Sequence, residues 1–115
     1  MSKLMTESVD KNLRSFVRSY VNSLVAWAII VFFYQNPGAR NRVSDLARHL
    51  GRREDDVEKA VGHLIAKGLL KKDGVGDDAV YFYEPIPDLH KQVETFVNLL
   101  EKRELRLWVL GEVLK

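Results

Sequence analysis

Positively charged side chains are concentrated in one part of this 115-residue chain. Residues 38–72 carry nine Lys or Arg against five acids, whereas residues 73–84 carry four acids and no Lys or Arg. Guanidinium and ammonium groups bind phosphate, and they also bind the major-groove edge of guanine. The segment 38–72 is therefore a candidate nucleic-acid surface, although the net charge of the whole chain, +2, is too small to indicate this by itself.

Catalytic and metal-binding chemistry have little support in the sequence. The chain has no cysteine, which excludes a thiolate metal site, a cysteine nucleophile and a disulfide framework, and which agrees with a reducing, cytoplasmic location. His49, His63 and His90 match no ligand spacing, and His90 with Glu94 on one helix face gives only two ligands. No Gly-rich phosphate loop follows a strand. We expect no enzymatic activity, no cofactor and no metal.

Two helices joined at Gly51 position the basic residues. Gly51 supplies the left-handed residue that commonly ends a helix. A second helix is predicted over residues 53–67, with Gly68 as its end. The apolar faces are formed by Leu46, Ala47 and Leu50 in the first helix and by Val57, Ala60, Val61, Leu64 and Ile65 in the second.

A β-hairpin is predicted after the second helix. Residues 69–72 and 79–83 have the composition of strands, and Val80 and Phe82 alternate with two tyrosines as in a half-buried strand. Gly74 and Gly76 make the intervening turn flexible. We expect Phe82 on the side of the core.

This order of elements resembles the winged helix-turn-helix family of bacterial and archaeal transcription regulators. The resemblance covers roughly residues 25–85 and implies a mainly α fold with a small β-hairpin, here with long N- and C-terminal helices. It implies double-stranded DNA as the partner, with the 53–67 helix in the major groove. The matching residues are Asp45-Leu46-Ala47, Leu50-Gly51, Val57, Ala60-Val61, Leu64, Lys67-Gly68-Leu69, Asp73-Gly74 and Val80-Tyr81-Phe82-Tyr83. The candidate DNA-binding residues are Arg40, Arg42, Arg52, Arg53, Lys59, His63, Lys71 and Lys72.

Several acids depart from the pattern of that family. Small hydroxyl residues are usual where Asp55 and Asp56 stand, and a wing usually carries Arg or Lys where this one has Asp73, Asp77 and Asp78. Carboxylates repel phosphate and, among base edges, accept a hydrogen bond only from cytosine. The alternative function is therefore a protein–protein interaction module that kept the fold and lost DNA binding.

Long apolar segments flank the two central helices. Residues 1–9 are predicted to be flexible, and residues 10–84 form the winged-helix domain with a long first helix that either bends near residues 20–23 or projects from the domain. The apolar run 24–34 is shorter than the roughly 20 residues of a membrane span, which predicts a buried helix. A basic loop over residues 37–42 follows.

Residues 85–115 are predicted to form an amphipathic dimerisation helix, continuous over residues 89–114 and capped by Asp88. The excess apolar surface of the two terminal helices predicts a homodimer, unless these helices pack only on each other within one chain. The candidate interface residues are Phe16, Tyr20, Phe96, Leu100, Leu107 and Trp108.

The core is predicted to join the two central helices to the first helix and the hairpin. The second of the two helices has no other apolar face to bury. The predicted N-cap of the first is Asn41 or Ser44. The predicted core residues are Leu46, Val57, Val61, Leu64, Leu69, Trp27, Val31 and Phe82.

Overall fold

The chain is mainly helical and carries a small three-stranded antiparallel sheet. The computed structural model describes the backbone of residues 2–115 and the side chains of residues 11–115. The elements in chain order are α1 (Ser2–Tyr20), α2 (Leu24–Gln35), β1 (Arg40–Asn41), α3 (Val43–Leu50), α4 (Glu54–Ala66), β2 (Leu70–Asp73), β3 (Val80–Tyr83), α5 (Pro87–Leu99) and α6 (Arg103–Val113). Helix α1 includes residues 2–9, where the sequence predicts a flexible segment, and Met1 lies outside the described residues.

The predicted long first helix is bent into two, as the first of the two alternatives proposed. Ser23 begins α2 because its hydroxyl oxygen accepts a hydrogen bond from the N–H of Ala26 at 3.0 Å. Among the described residues no single helix has the length and apolar composition of a membrane span. Only the pair Lys11–Tyr20 and Leu24–Gln35 satisfies that criterion jointly, and its two helices meet at 105°.

Helix α2 buries one face and leaves the other partly exposed. Ile29, Ile30 and Phe33 on the inner face are fully buried. Trp27 and Val31, predicted to lie in the core, are half-buried. The prediction was wrong on this point because a small domain supplies too few neighbouring elements to enclose a central helix on every side.

Helices α3 and α4 pack against α2 through the predicted apolar faces. Gly51 and Gly68 end the two helices as predicted, with φ angles of 66° and 80°, and the sequence predicts the left-handed conformation for Gly51. The predicted core residues of this region are all at most 1% exposed, and they are Leu46, Val57, Val61, Leu64 and Leu69. The orientation of α4 is therefore fixed by burial of a single stripe.

The residue at the N-cap of α3 is Arg42, and neither predicted cap takes that position. Asn41 is instead paired with Tyr81 in the sheet, and Ser44 lies inside the helix. The backbone N–H of Arg42 donates to the carboxylate of Asp45 at 3.4 Å. An acid at the third helical position thus satisfies the helix start, the role that a reciprocal capping pair gives to that position.

Strand β3 is the central strand of the sheet, in the order β1-β3-β2. The predicted hairpin is confirmed to within one residue, with Leu70 of β2 opposite Tyr83. Strand β1 places Arg40 opposite Phe82 where the sequence predicts only a basic loop. The sheet therefore connects the segment before α3 to the hairpin.

The two faces of β3 are reversed relative to the prediction. Tyr81 is buried and Tyr83 packs against the core, whereas Val80 and Phe82 are half-buried. The ring of Phe82 lies beneath the guanidinium of Arg40, whose central carbon is 4.3 Å from the ring centroid. Alternation fixes the period of a strand, but it cannot select the inner face when both sets of side chains are apolar or aromatic.

The predicted cap of the C-terminal helix is also displaced. Helix α5 begins after Ile86, and Asp88 therefore lies in its first turn. Pro87 occupies the first helical position, where its fixed φ is favourable and its missing N–H costs no hydrogen bond.

The predicted helix over residues 89–114 is broken into α5 and α6. The polar run 101–104 interrupts the apolar stripe at the break. The guanidinium of Arg106 donates to the carbonyl of Glu101 at 3.1 Å and also to the carbonyl of Leu100. These bonds satisfy carbonyls that lose their helical partners where α5 ends.

Candidate nucleic-acid interface

The outer face of α4 is open to solvent along its length. Its inner stripe is held in the core, so residues three, four and seven positions apart on the opposite side face outward. Gly62 contributes no side chain to this face, and a Cβ built there would meet no atom within 4 Å. The exposed residues of the outer face are Asp55, Glu58, Lys59, Gly62 and Ala66.

Acids outnumber cations at the start of α4. Glu54, Asp55 and Asp56 occupy the first turn, where carboxylates stabilise the helix by complementing its dipole. Over residues 52–59 the chain carries three cations and four acids, and all seven side chains are exposed. The helix therefore offers carboxylates at the end that would approach a phosphate or a base edge.

The turn between α3 and α4 presents two arginines ahead of the helix. The left-handed Gly51 lets the N–H of Arg52 donate back to the carbonyl of Ala47 at 2.9 Å. This closes the turn tightly and leaves the side chains of Arg52 and Arg53 exposed. Two cations are therefore exposed immediately before the N-terminal end of α4.

Four of the candidate cations form ion pairs with acidic side chains of the protein itself. The closest pairs place Arg40 at 2.9 Å from Asp73 and Lys71 at 3.2 Å from Glu84. Hydrogen bonds from Arg42 hold the pKa of Asp45 below its usual value. All the paired cations have side chains at least 46% exposed, and their pairs are Arg40–Asp73, Arg42–Asp45, Arg53–Asp55 and Lys71–Glu84.

Three candidate cations form no ion pair with any side chain of residues 11–115. Arg52 lies at the rim of a groove between α2 and α3. Lys59 lies beside Ser23, at the bend that joins α1 to α2. Lys72 faces Glu54 and Glu58 across a small cavity of about 190 Å³ between the hairpin and α4. The three therefore surround α4 and do not converge on one point.

His63 is placed differently from the other candidates. Its side chain is half-buried, and its Nε2 atom is buried without a hydrogen-bond partner among the described residues. That nitrogen is therefore not accessible to a ligand outside the protein in this conformation. The spacing of α4 could have indicated this, because His63 lies three residues after the buried Ala60.

The hairpin tip carries acids and one exposed apolar side chain. Asp77 and Asp78 lie in a short 3₁₀ turn over Gly76–Asp78 and are exposed. Val75 is 83% exposed. The tip therefore lacks the cations that would hold a phosphate backbone, as its sequence indicates.

His90 takes part in a structural contact. Its Nδ1 lies 2.8 Å from the hydroxyl oxygen of Tyr83, which ties the end of β3 to the start of α5. Burial raises the pKa of Tyr83 to about 12. Within residues 11–115 no group of three His, Cys, Asp or Glu side chains is arranged to hold a metal ion.

Two of the candidate dimer residues are buried within the chain, and the other four are half-buried or exposed. Phe16 and Phe96 are buried against each other with ring centroids 4.9 Å apart, so these two lie within the chain. Tyr20 packs on Phe16 at 4.9 Å, and Trp108 lies under Arg14. Leu100 is half-buried and Leu107 is 56% exposed. The terminal helices thus cover much of each other's apolar surface.

No family model, curated protein or solved structure matches this chain closely enough to assign it to a family.

Proposed function

We propose that this chain is a winged helix-turn-helix protein that regulates transcription in the cytoplasm by binding double-stranded DNA, without catalytic activity. The observation that carries the proposal is the open outer face of α4, held by a buried stripe and preceded by the tight turn at Gly51. A helix presented in this way can enter the major groove of B-DNA, which admits an α-helix. The hairpin of β2 and β3 is the wing in this proposal.

The available cations support phosphate contact beside that helix. Arg52, Lys59 and Lys72 have no ion pair with a described side chain. The pairs of Arg42 and Arg53 are exposed, and exposed ion pairs contribute little to stability. These arginines can therefore exchange a carboxylate for a phosphate at small cost. The neighbouring acids remain, so we expect weak and strongly salt-dependent binding.

A second candidate function is docking of another protein through the same face. The specific observation is the excess of acids over cations across residues 52–59, together with an acidic wing tip. Such a face repels phosphate and attracts a basic protein surface. In this case the fold is kept and duplex binding is lost.

Duplex binding across a salt series tests the proposal. Wild-type protein should bind a nonspecific duplex at low salt, and log K should fall linearly with log salt. Arg52→Ala and Lys59→Ala should each weaken binding and reduce the magnitude of the slope by about 1. Asp55→Asn and Asp56→Asn should each strengthen binding by about fivefold, because each removes a repulsion of about 1 kcal/mol beside a phosphate.

Matched controls separate local contact from net charge. Lys102→Ala removes the same charge outside the candidate interface, and Asp88→Asn removes an exposed carboxylate from the first turn of α5. Both controls should bind like wild type. Equal binding by all variants would contradict docking of α4. Binding by the Asp→Asn variants alone, with none by wild type, would favour the protein-docking function.

The proposed regulator is a homodimer, and the outer face of α6 supports this part of the proposal. Leu107 and Leu114 are 56% and 64% exposed, and half-buried Leu110 lies between them. These three leucines have the spacing of one helix face. An exposed apolar stripe of this kind is a candidate contact surface for a second copy of the chain.

Light scattering at micromolar concentration measures the dimer directly. We expect a mass near twice the chain mass of 13.2 kDa. Leu107→Glu should lower it by placing a carboxylate in the apolar contact, whereas Val75→Glu at the wing tip should leave it unchanged. A wild-type mass near that of a single chain would reject the dimer without affecting the proposal for DNA.

A further inference from the structure

A cavity of about 530 Å³ lies between α1 and α5, and no residue of α4 lines it. Pockets that hold small molecules typically have volumes of roughly 300–1,000 Å³ and combine apolar walls with a few polar groups. The lining of this cavity has both kinds of group. Its chemistry can therefore be read from the residues that face it.

The floor of the cavity is aromatic. Phe16 of α1 and Phe96 of α5 line it, with ring centroids 4.9 Å apart and ring planes inclined by 34°. Both side chains are anchored in the core, being at most 4% exposed. The two rings therefore present only a small accessible part to the cavity, and that part favours contact with an apolar group.

The walls of the cavity supply neutral hydrogen-bonding groups. Asn12 and Ser15 lie on α1, and Gln92 and Thr95 lie on α5. Their carboxamides and hydroxyls can donate as well as accept hydrogen bonds. The walls can therefore bind an oxygen-bearing group of the ligand whether that group donates or accepts the hydrogen bond.

Lys91 sets the charge of the cavity. Among the side chains of residues 11–115, it is the one charged residue of the lining, and no carboxylate of this range lines the cavity. Its ammonium forms no ion pair with any side chain of residues 11–115. By contrast, the cavity beside the wing contains Glu54 and Glu58 opposite Lys72. The site between α1 and α5 is thus suited to an anion.

We propose that this cavity binds a small organic acid with a flat apolar body, such as an aromatic carboxylate. The apolar body lies against Phe16 and Phe96, and the carboxylate accepts hydrogen bonds from Lys91 and from a wall carboxamide or hydroxyl. A charge-assisted hydrogen bond to an unpaired ammonium is stronger than one between neutral groups. The proposal does not depend on DNA binding.

Tryptophan emission provides the readout. The ring of Trp27 lies 6.4 Å from that of Phe96, so a ligand on Phe96 changes the surroundings of Trp27. The only other tryptophan is Trp108, and Trp108→Phe isolates the signal of Trp27. In that background, titration with benzoate should give a saturable change. Benzamide, a neutral molecule of nearly the same shape, should bind about fivefold more weakly.

Two pairs of variants locate the binding. Lys91→Ala should abolish the preference for benzoate over benzamide, whereas Lys102→Ala should keep it. Thr95→Phe should fill the cavity and remove saturable binding, whereas Asn98→Phe, one turn along α5 and outside the lining, should not. Circular dichroism and the unfolding midpoint show whether each variant is folded.

Three outcomes overturn the proposal. The first is a linear, nonsaturating change that is the same for both probes, and the second is a preference for benzoate that survives Lys91→Ala. The third is a dimeric mass with no benzoate binding, in which case a second copy of the chain covers the cavity. Saturable binding with the expected response of both variant pairs supports it.

Discussion

Replacing Phe96 with alanine is expected to lower the free energy of unfolding by about 3–5 kcal/mol, the range for emptying a buried phenylalanine site. Phe96 is 1% exposed and contacts Phe16 of α1 and Trp27 of α2. The substitution therefore leaves a hole where three helices meet. Urea unfolding followed by circular dichroism measures the loss, and an unchanged m-value would show that the compactness of the unfolded state is the same.

Phe82→Ala is the matched control, because Phe82 is half-buried on the outer side of β3. Its loss removes part of an apolar contact and the interaction with Arg40, and should cost only about 1 kcal/mol. The sequence alone predicts Phe82 in the core and hence a cost as large as that of Phe96→Ala. Equal costs would show that the face of β3 assigned by the structure is wrong.

Replacing Leu64 with alanine is expected to cost about 2–5 kcal/mol, the range measured for emptying well-packed leucine sites. Leu64 is fully buried at the C-terminal end of the stripe that holds α4. Since that stripe sets the direction of the outer face, duplex binding should fall together with stability. Chemical unfolding and duplex binding of the same variant test the two effects.

Ile86→Ala provides the control for this substitution, because Ile86 is 69% exposed and lies outside both α4 and the proposed dimer face. It should change the unfolding free energy by less than about 0.5 kcal/mol. A cost below about 1 kcal/mol for Leu64→Ala would mean that α4 buries a different face. Different residues of α4 would then form its outer face and the candidate interface.

The sequence by itself determined the two central helices and their inner faces. The stripe from Val57 to Leu64 has the helical period, and burying it leaves one possible outer face. Gly51 and Gly68 end the helices because a left-handed residue is favourable for glycine. These features depend on neighbours a few residues away, which the sequence displays directly. The same holds for the excess of acids at the start of α4.

The tertiary structure alone decided which apolar surfaces are covered and which cations are paired. Arg40 meets Asp73 across 33 residues of chain, and Phe16 meets Phe96 across a still longer separation. No local spacing encodes such contacts, because they depend on the bend before α2 and on the break after α5. The face of β3 was undetermined for a related reason: both of its faces are apolar or aromatic, so only the packed neighbours choose between them.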